Sequence, residues 1–420
     1  DARRGQRACS PAAFRAARAP CELGRQLELD AHTPVLGALE HDASVLYAAV
    51  LPPSDDYAGP SAAPAPAPPA TAEVDASVEL VAALFPAQAR DLQMGAAEFL
   101  LHSTRRAPLD AAPPGRRTAV LANGVAALLG AARAAAHGPR RASGWANDRV
   151  NTAVRELEQD ALLHGDPVLH VPAAELYGYV ALLAGSASLT AQAQWLVEQV
   201  LDPRHADARA ACALALGAMY ARVGGLHASP LTPTVSRLLL SLARDPHPAV
   251  HTRALQALAQ VMEAAGVAYE PFAASTLELV AHLCASASHE PEGGSAGSAN
   301  LRAHWAASPA LARVLGAVVG VLGPELLEAP TKRTLVYALL LYLARDAGDA
   351  AAAEAVHGLQ RLGLVVPTLL ETRVGAALLH DALERGAAHA PLAHAAAGAY
   401  VQMAQRGTAW LAPHGGPALL

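Results

Sequence analysis

Lysine occurs once, at Lys332, and isoleucine not at all; the rest of the 31 basic residues are arginine. That skew reflects coding bias and carries no chemistry. Aromatic residues make up 4% of the chain and charged residues 16%, against a usual charged share of about 25%. Apolar residues reach 53% of 420 positions, enough to exclude disorder over the whole length and to support two or three domains or one long repeat array. Only four cysteines are present, and Cys9, Cys21, Cys212 and Cys284 stand far apart with no Cys-x-x-Cys. This excludes a disulfide framework and a zinc ribbon, and a reducing cytosol fits best. A net charge of −6 gives no general attraction to nucleic acid or anionic lipid. Long apolar runs are also missing. The windows Val314 to Gly323 and Leu335 to Ala344 are about ten residues each, half of the ~20 a spanning helix needs, so no transmembrane segment is expected. The opening "DARRGQRACSPAAFRAARAP" is arginine-rich and acid-poor, as transit peptides are. The chain begins at Asp1 without methionine, however, which we read as a section cut from a longer protein.

Proline and glycine divide what is there. "PPSDDYAGPSAAPAPAPPA", from Pro52, cannot hold a helix and is assigned with its neighbours as a linker over 52–72. "SASHEPEGGSAGSAN" is expected to form an inserted surface loop over 286–300. Shorter breaks fall at Ala107 to Gly115, Gly138 to Gly144, Gly165 to Pro172, Asp202 to Pro203, Gly224 to Pro233, Asp245 to Pro248 and Gly323 to Pro330. The segments between them show apolar residues at three and four spacing, the helix period. Strand signals are weak, since Asn123-Gly124 lies inside an Ala/Leu-rich helical stretch. We therefore expect an all-α chain.

An internal repeat refines this. "DPRHADARAACALALGAMYARVGG" from Asp202 is matched by "DPHPAVHTRALQALAQVMEAAG" from Asp245, 43 residues on. Each opens on Asp-Pro, places an arginine (Arg209, Arg253), then a leucine (Leu214, Leu258), and ends in glycine (Gly224, Gly266). The interval lies within the roughly 40–47 residues of HEAT-type helical hairpins. A third copy starts at "LARDAGDAAAAEAVHGLQRLG" from Leu343, its Asp346 lying 101 residues after Asp245. The expected roles follow from chemistry: Asp202 and Asp245 accept N–H groups of the second helix, Pro presets the turn, and Arg209 and Arg253 reach a turn aspartate. Leu214 and Leu258 fill the space between hairpins, which cannot bury their apolar faces singly.

The fold class expected is a HEAT/armadillo-type α-solenoid of stacked antiparallel helix pairs. Its paired helices are Thr190–Leu201 with Asp207–Arg222, Thr232–Ala243 with Ala249–Ala265, Pro271–Ala285 with Ala307–Leu322, Thr331–Arg345 with Asp349–Leu362, and Pro367–Glu384 with Ala390–Gln405. Upstream helices are expected at Pro34–Leu51, Val74–Leu84, Asp91–His102, Arg117–Ala136, Asp148–Leu163 and Pro172–Leu183. In domain terms this gives an irregular N-terminal segment (1–51), the linker, a less regular helical region (73–185), HEAT-type repeats (186–406) and a C-terminal tail (407–420). Glycines inside helices, such as Gly217 and Gly316, call for a packing reason, which close helix approach supplies.

"CALALGAMYARVGGL", Cys212 to Leu226, resembles a segment of the large HEAT-repeat proteins that accompany the type 1 clathrin adaptor complex. These are the HEAT-repeat-containing protein 5 group and the fungal large adaptor-accessory protein. The resemblance continues through "VHTRALQALAQVMEAAGVAY" (Val250 to Tyr269), "STLELV" (Ser275 to Val280) and "VLGPELL" (Val321 to Leu327), and covers about Pro172 to Arg406. The sequence departs from the pattern at Ala221 and Val223, where the family has His or Tyr, and the 286–300 loop is longer. Family members are several times longer than this chain. The resemblance implies a cytosolic scaffold that binds the type 1 adaptor complex and its accessory proteins at trans-Golgi, endosomal and clathrin-coated membranes. It would serve endocytosis and endosome-to-Golgi retrieval.

Residues that invite other chemistry have plainer readings. The 18 histidines are scattered, and His247 and His251, four apart, straddle a turn and a helix start. "GGSAGSAN" and "GPRRASG" lack the Gly-Lys-Ser/Thr ending of a phosphate loop, and no Gly-x-Ser-x-Gly elbow occurs. Glu156, Glu158 and Asp160, near Arg149 and Arg155, read as a solvated helix face. The doublets Arg105-Arg106, Arg116-Arg117 and Arg140-Arg141 read as solubilising charge or as steering for an acidic partner. Trp145, Trp195, Trp305 and Trp410 are interface-anchor candidates, with Trp195 favoured as a core filler. No catalytic residue, metal or cofactor is expected. The alternatives are another HEAT scaffold, in nuclear transport or chromosome organisation, and an enzyme with a helical shell around a His/Asp site.

Overall fold

The structure is a computed structural model that describes residues 78–105, 114–137, 148–202, 204–287, 295–387 and 389–406. The expected helix at Pro34–Leu51, the 52–72 linker, the Arg140-Arg141 doublet, Trp145, Trp410 and the tail lie outside the described residues. All regular structure among the described residues is helical. Contacts divide the chain into two compact units, Asp1–Val223 and Gly224–Leu420.

The first unit contains α1 (Arg90–Thr104), α2 (Pro114–His137), α3 (Asp148–Leu162), α4 (Pro167–Ala184), α5 (Ser186–Leu201) and α6 (Ala206–Val223). The second contains α7 (Thr232–Leu242), α8 (Pro248–Ala265), α9 (Glu270–Ala287), α10 (Ser295–Leu322), α11 (Pro330–Asp346), α12 (Asp349–Val365), α13 (Arg373–Arg385) and α14 (Ala390–Arg406). Each odd-numbered helix packs on the even one that follows it. The even, second helices also pack on one another: α2 on α4 and α4 on α6 in the first unit, then α8, α10, α12 and α14 in order in the second. This is the architecture of an all-α, HEAT-type α-solenoid.

α8 shows how the sequence writes one such helix. Pro248 occupies its first turn, where a missing N–H costs nothing. Val250, Ala254, Leu255, Ala257, Leu258, Val261 and Met262 are buried at helical spacing. Gly266 ends it with φ of 53°, left-handed backbone that a side chain resists. Gly224, after α6, does the same at φ of 87°. α6 is buried almost without interruption from Ala208 to Tyr220, the mark of a helix with neighbours on every side.

Small residues let these helices touch. A Cβ on Gly178 would come 2.6 Å from the carbonyl oxygen of Ala218, so α4 and α6 meet backbone to backbone. A Cβ on Gly316 would lie 3.3 Å from the Cα of Gly358, which brings α10 against α12 and answers the question that Gly316 raised. Abundant alanine and scarce aromatics are thus the composition of thin, closely spaced helices.

Four helix expectations need correction. α4 starts at Pro167 and runs through Pro172, because burial on α2 and α6 holds the helix across the missing hydrogen bond. Residues 295–300 of the expected loop are helical: the alanine-rich sequence extends α10 back from its buried half to Ser295. The single helix expected over Pro367–Glu384 is a short turn, Pro367–Leu369, followed by α13. There the Thr372 hydroxyl accepts the Gly375 N–H at 3.1 Å and caps a new start. Finally, Val120–His137 within α2 is an 18-residue stretch long and apolar enough to cross a membrane, against the ten-residue windows expected. It is 72% buried inside the protein, as a core helix is.

Leu258 is fully buried on α8. Leu258→Ala is expected to destabilise the chain by about 2–5 kcal/mol, measured by chemical denaturation. A change near zero would mean that the helix faces another way.

Candidate partner-binding face

The repeat residues come first, because they place the second helices. Leu214 and Leu258 are buried. The turn aspartates act one step earlier in the chain than expected. Asp202 Oδ1 accepts the N–H of Arg204 at 3.0 Å and Asp245 Oδ1 accepts that of His247 at 2.9 Å. These are the same side-chain turn in both copies, made before the helix begins. Arg204 also clamps the Asp202 carboxylate at 2.6 Å.

Arg209 and Arg253 diverge. Arg209 Nε donates to the Val200 carbonyl at 3.0 Å, whereas Arg253 donates to Gln256 one turn on. The carbonyl matching Val200 in the second copy is Ala243, and it receives His251 Nδ1 at 2.7 Å. Burial lowers the His251 pKa, in keeping with a neutral ring whose Nδ1–H donates here. In the third copy the matching carbonyl, Ala344, receives Arg385 at 3.1 Å. One task, satisfying the last carbonyls of the first helix, is done by three side chains from different positions. Arg385 also binds Asp349 in the first turn of α12, joining α13 to the neighbouring pair at a place the repeat did not mark.

On the second-helix face the charges cluster, and sequence reading missed them. In the first unit Glu175 on α4 stands between Arg133 of α2 at 2.6 Å and Arg222 of α6 at 2.7 Å. The Arg222 guanidinium also lies 4.3 Å from the centre of the Tyr179 ring, a cation–π contact. In the second unit Glu263 of α8 takes Arg313 of α10 at 2.7 Å and Arg361 of α12 at 3.4 Å. A carboxylate held by two arginines from adjacent helices therefore recurs. The available signal was isolation: these residues are rare charges in the latter parts of otherwise Ala/Leu-rich helices.

Beside Glu263 the second unit has a groove of about 720 Å³ between α8, α10 and α12. Arg313, Glu354, His357 and Arg361 supply its polar wall, and Gly316, Gly320 and Gly358 are among its apolar lining. Glu354 is half buried, and burial raises its pKa. Burial lowers that of His357, with Arg361 adding to the effect.

The other candidates have structural roles. Arg105 forks onto Glu156 and Asp160 at 2.6 Å each, tying α1 to α3. Trp195 is half buried and stacks on Tyr177 with centroids 6.2 Å apart. Cys212 and Cys284 are free and buried, and burial pushes both thiols up to about 12, which removes thiolate chemistry at neutral pH. Among the described residues no three His, Cys, Asp or Glu side chains converge as a metal site.

No protein-family model matches the chain. Solved structures share its fold. Importin beta, crystallised in a polyethylene glycol condition, superposes with a TM-score of 0.59 at 13% identity, over 79% of this chain and 39% of that one. Kap121p gives 0.53 at 16% identity, over 80% and 32% respectively. The karyopherin Kap121p bound to the SUMO protease Ulp1p gives 0.52 at 13%, over 80% and 31%. This chain thus spans between three and four tenths of the length of the proteins it matches. At such identities the likeness establishes the HEAT-repeat solenoid fold.

Glu158 departs from the solvated face expected of it: it is buried, and neither carboxylate oxygen accepts a hydrogen bond. Burial raises its pKa well above 4.5, with Arg155 opposing. A pKa higher in the folded state stabilises most when the group is protonated in both states, and the benefit fades as pH rises above about 4.5. Glu158→Gln is expected to leave the melting temperature near that of the wild type at pH 4 and to raise it at pH 7. Equal melting temperatures at both pH values would show Glu158 to be solvated.

Proposed function

We propose that the chain is a section of a non-enzymatic scaffold that binds protein partners on its second-helix face. The observation that carries this reading is the groove between α8, α10 and α12: an open, charged surface on helices that are otherwise buried alanine and leucine. Repeat stacks characteristically use such extended faces for recognition. No cofactor or catalytic group is part of the reading.

The finer assignment is to clathrin-adaptor-dependent traffic between the trans-Golgi network and endosomes, with the type 1 adaptor complex as partner. It rests on the resemblance carried by Cys212 to Leu226, Val250 to Tyr269, Ser275 to Val280 and Val321 to Leu327. The matching segments fall on α6 of the first unit and on α8, α9 and the turn after α10 of the second. Membrane association would then be indirect and the location peripheral. A second reading, carriage of protein cargo as in nuclear transport, is favoured by the fold of the neighbours, of which Kap121p has been crystallised with Ulp1p, Ste12p and Pho4p.

A pulldown from cytosol with the 420-residue chain as bait separates the two. Recovery of type 1 adaptor subunits is expected, and reversal of charge at Arg140 and Arg141 tests whether that doublet steers them. Recovery of karyopherin-type cargo without adaptor subunits would transfer the assignment to the second reading.

A further inference from the structure

The charged wall of the groove in the second unit is incompletely paired. Arg313 and Arg361 both turn to Glu263. Glu354, on the same helix as Arg361, accepts no hydrogen bond, although it lines the same groove of about 720 Å³. Its electrostatic surroundings are Arg313 and Arg361, which favour its charge, and Glu263, which opposes it; desolvation outweighs them all. His357, one turn along α12, is the remaining titratable group in the lining, and its pKa is lowered.

The rest of the lining leaves room for a main chain. Gly320 is exposed and a Cβ on it would meet nothing within 4 Å, while Gly316 and Gly358 are buried where α10 crosses α12 and form the floor. An extended peptide can therefore lie close to the helices, with side chains directed at the charged wall.

We propose that this groove docks an extended segment of a partner protein through a lysine or arginine side chain that pairs with Glu354. This deepens the scaffold reading and rests on it only in taking the partner to be a protein. Charge decides between ligands. An anionic group drawn to Arg361 would lie beside two carboxylates, Glu354 and Glu263. An apolar group would cover Glu354 and leave it unpaired, which is unfavourable. A cation gives Glu354 a charge-assisted hydrogen bond while the Glu263 pairings stay intact. The unpaired carboxylate thereby rejects wrong ligands as well as attracting the right one.

The test is selection of random dodecapeptides displayed on phage against the full 420-residue chain, and against its Glu354→Gln variant. Peptides selected by the wild type are expected to share a lysine or arginine. Synthetic copies should bind less tightly as salt rises, and at least about tenfold more weakly to Glu354→Gln. The variant removes a desolvated charge, so its melting temperature should equal or exceed that of the wild type and the comparison is between folded proteins. Selection of acidic or uncharged peptides, equal affinity for the variant, or no selected peptide at all would overturn the proposal. Basic peptides from the selection with no adaptor subunits in the pulldown would sustain the docking site and remove the trafficking assignment. The opposite pattern would remove the docking site alone.

Discussion

Contact between the backbones of successive second helices is the constraint on which the rest of the structure depends. Where Gly178 faces the Ala218 carbonyl there is no room for a side chain between neighbouring helices, and where Gly316 faces Gly358 an added Cβ would be in tight contact. A stack built at that spacing needs alanine and glycine on the faces that touch, with leucine and valine filling the gaps beside them. The few large aromatic side chains fill gaps in this packing, with Tyr177, Tyr220 and Tyr400 buried on α4, α6 and α14. The left-handed glycines Gly224 and Gly266 serve the same end by stopping a second helix sharply, so that the next pair can begin.

That economy makes the few charges on the second helices conspicuous. Glu175 with Arg133 and Arg222, and Glu263 with Arg313 and Arg361, each join three adjacent helices through one carboxylate. The Glu175 bridge is partly shielded, so its pairing geometry matters more than that of the exposed Glu263 pairs. In the second unit the same helices leave a groove beside the bridge, so the close packing that stabilises the stack also shapes the surface available to a partner. Function then lies in a face rather than in a constellation of catalytic groups.

Much of the fold was legible because helix period and repeat interval are local properties of sequence. The Asp202 and Asp245 copies contain the same side-chain turn, and Leu214 and Leu258 are both buried. What escaped depends on three-dimensional surroundings. Arg253 and His251 lie two residues apart, and only the folded turn shows that His251 is the one that reaches Ala243. Glu158 sits among Glu156 and Asp160 in a run that looks solvated, yet its side chain projects inward. Pro172 reads as a helix start, and tertiary packing carries α4 through it. The groove was invisible for a similar reason: Glu263, Arg313, Glu354 and Arg361 come from three helices that only stacking brings together.

The most direct test of the close-approach account is a double-mutant cycle at Gly316 and Gly358, with unfolding free energies measured for both single alanine variants and the double. Two added Cβ atoms compete for one gap, so the double variant should be less stable than the sum of the single effects predicts, by at least about 0.5 kcal/mol. Two independent gains of about 1 kcal/mol each, the usual benefit of replacing an uncrowded helix glycine by alanine, would show that α10 and α12 do not touch there and would contradict the account.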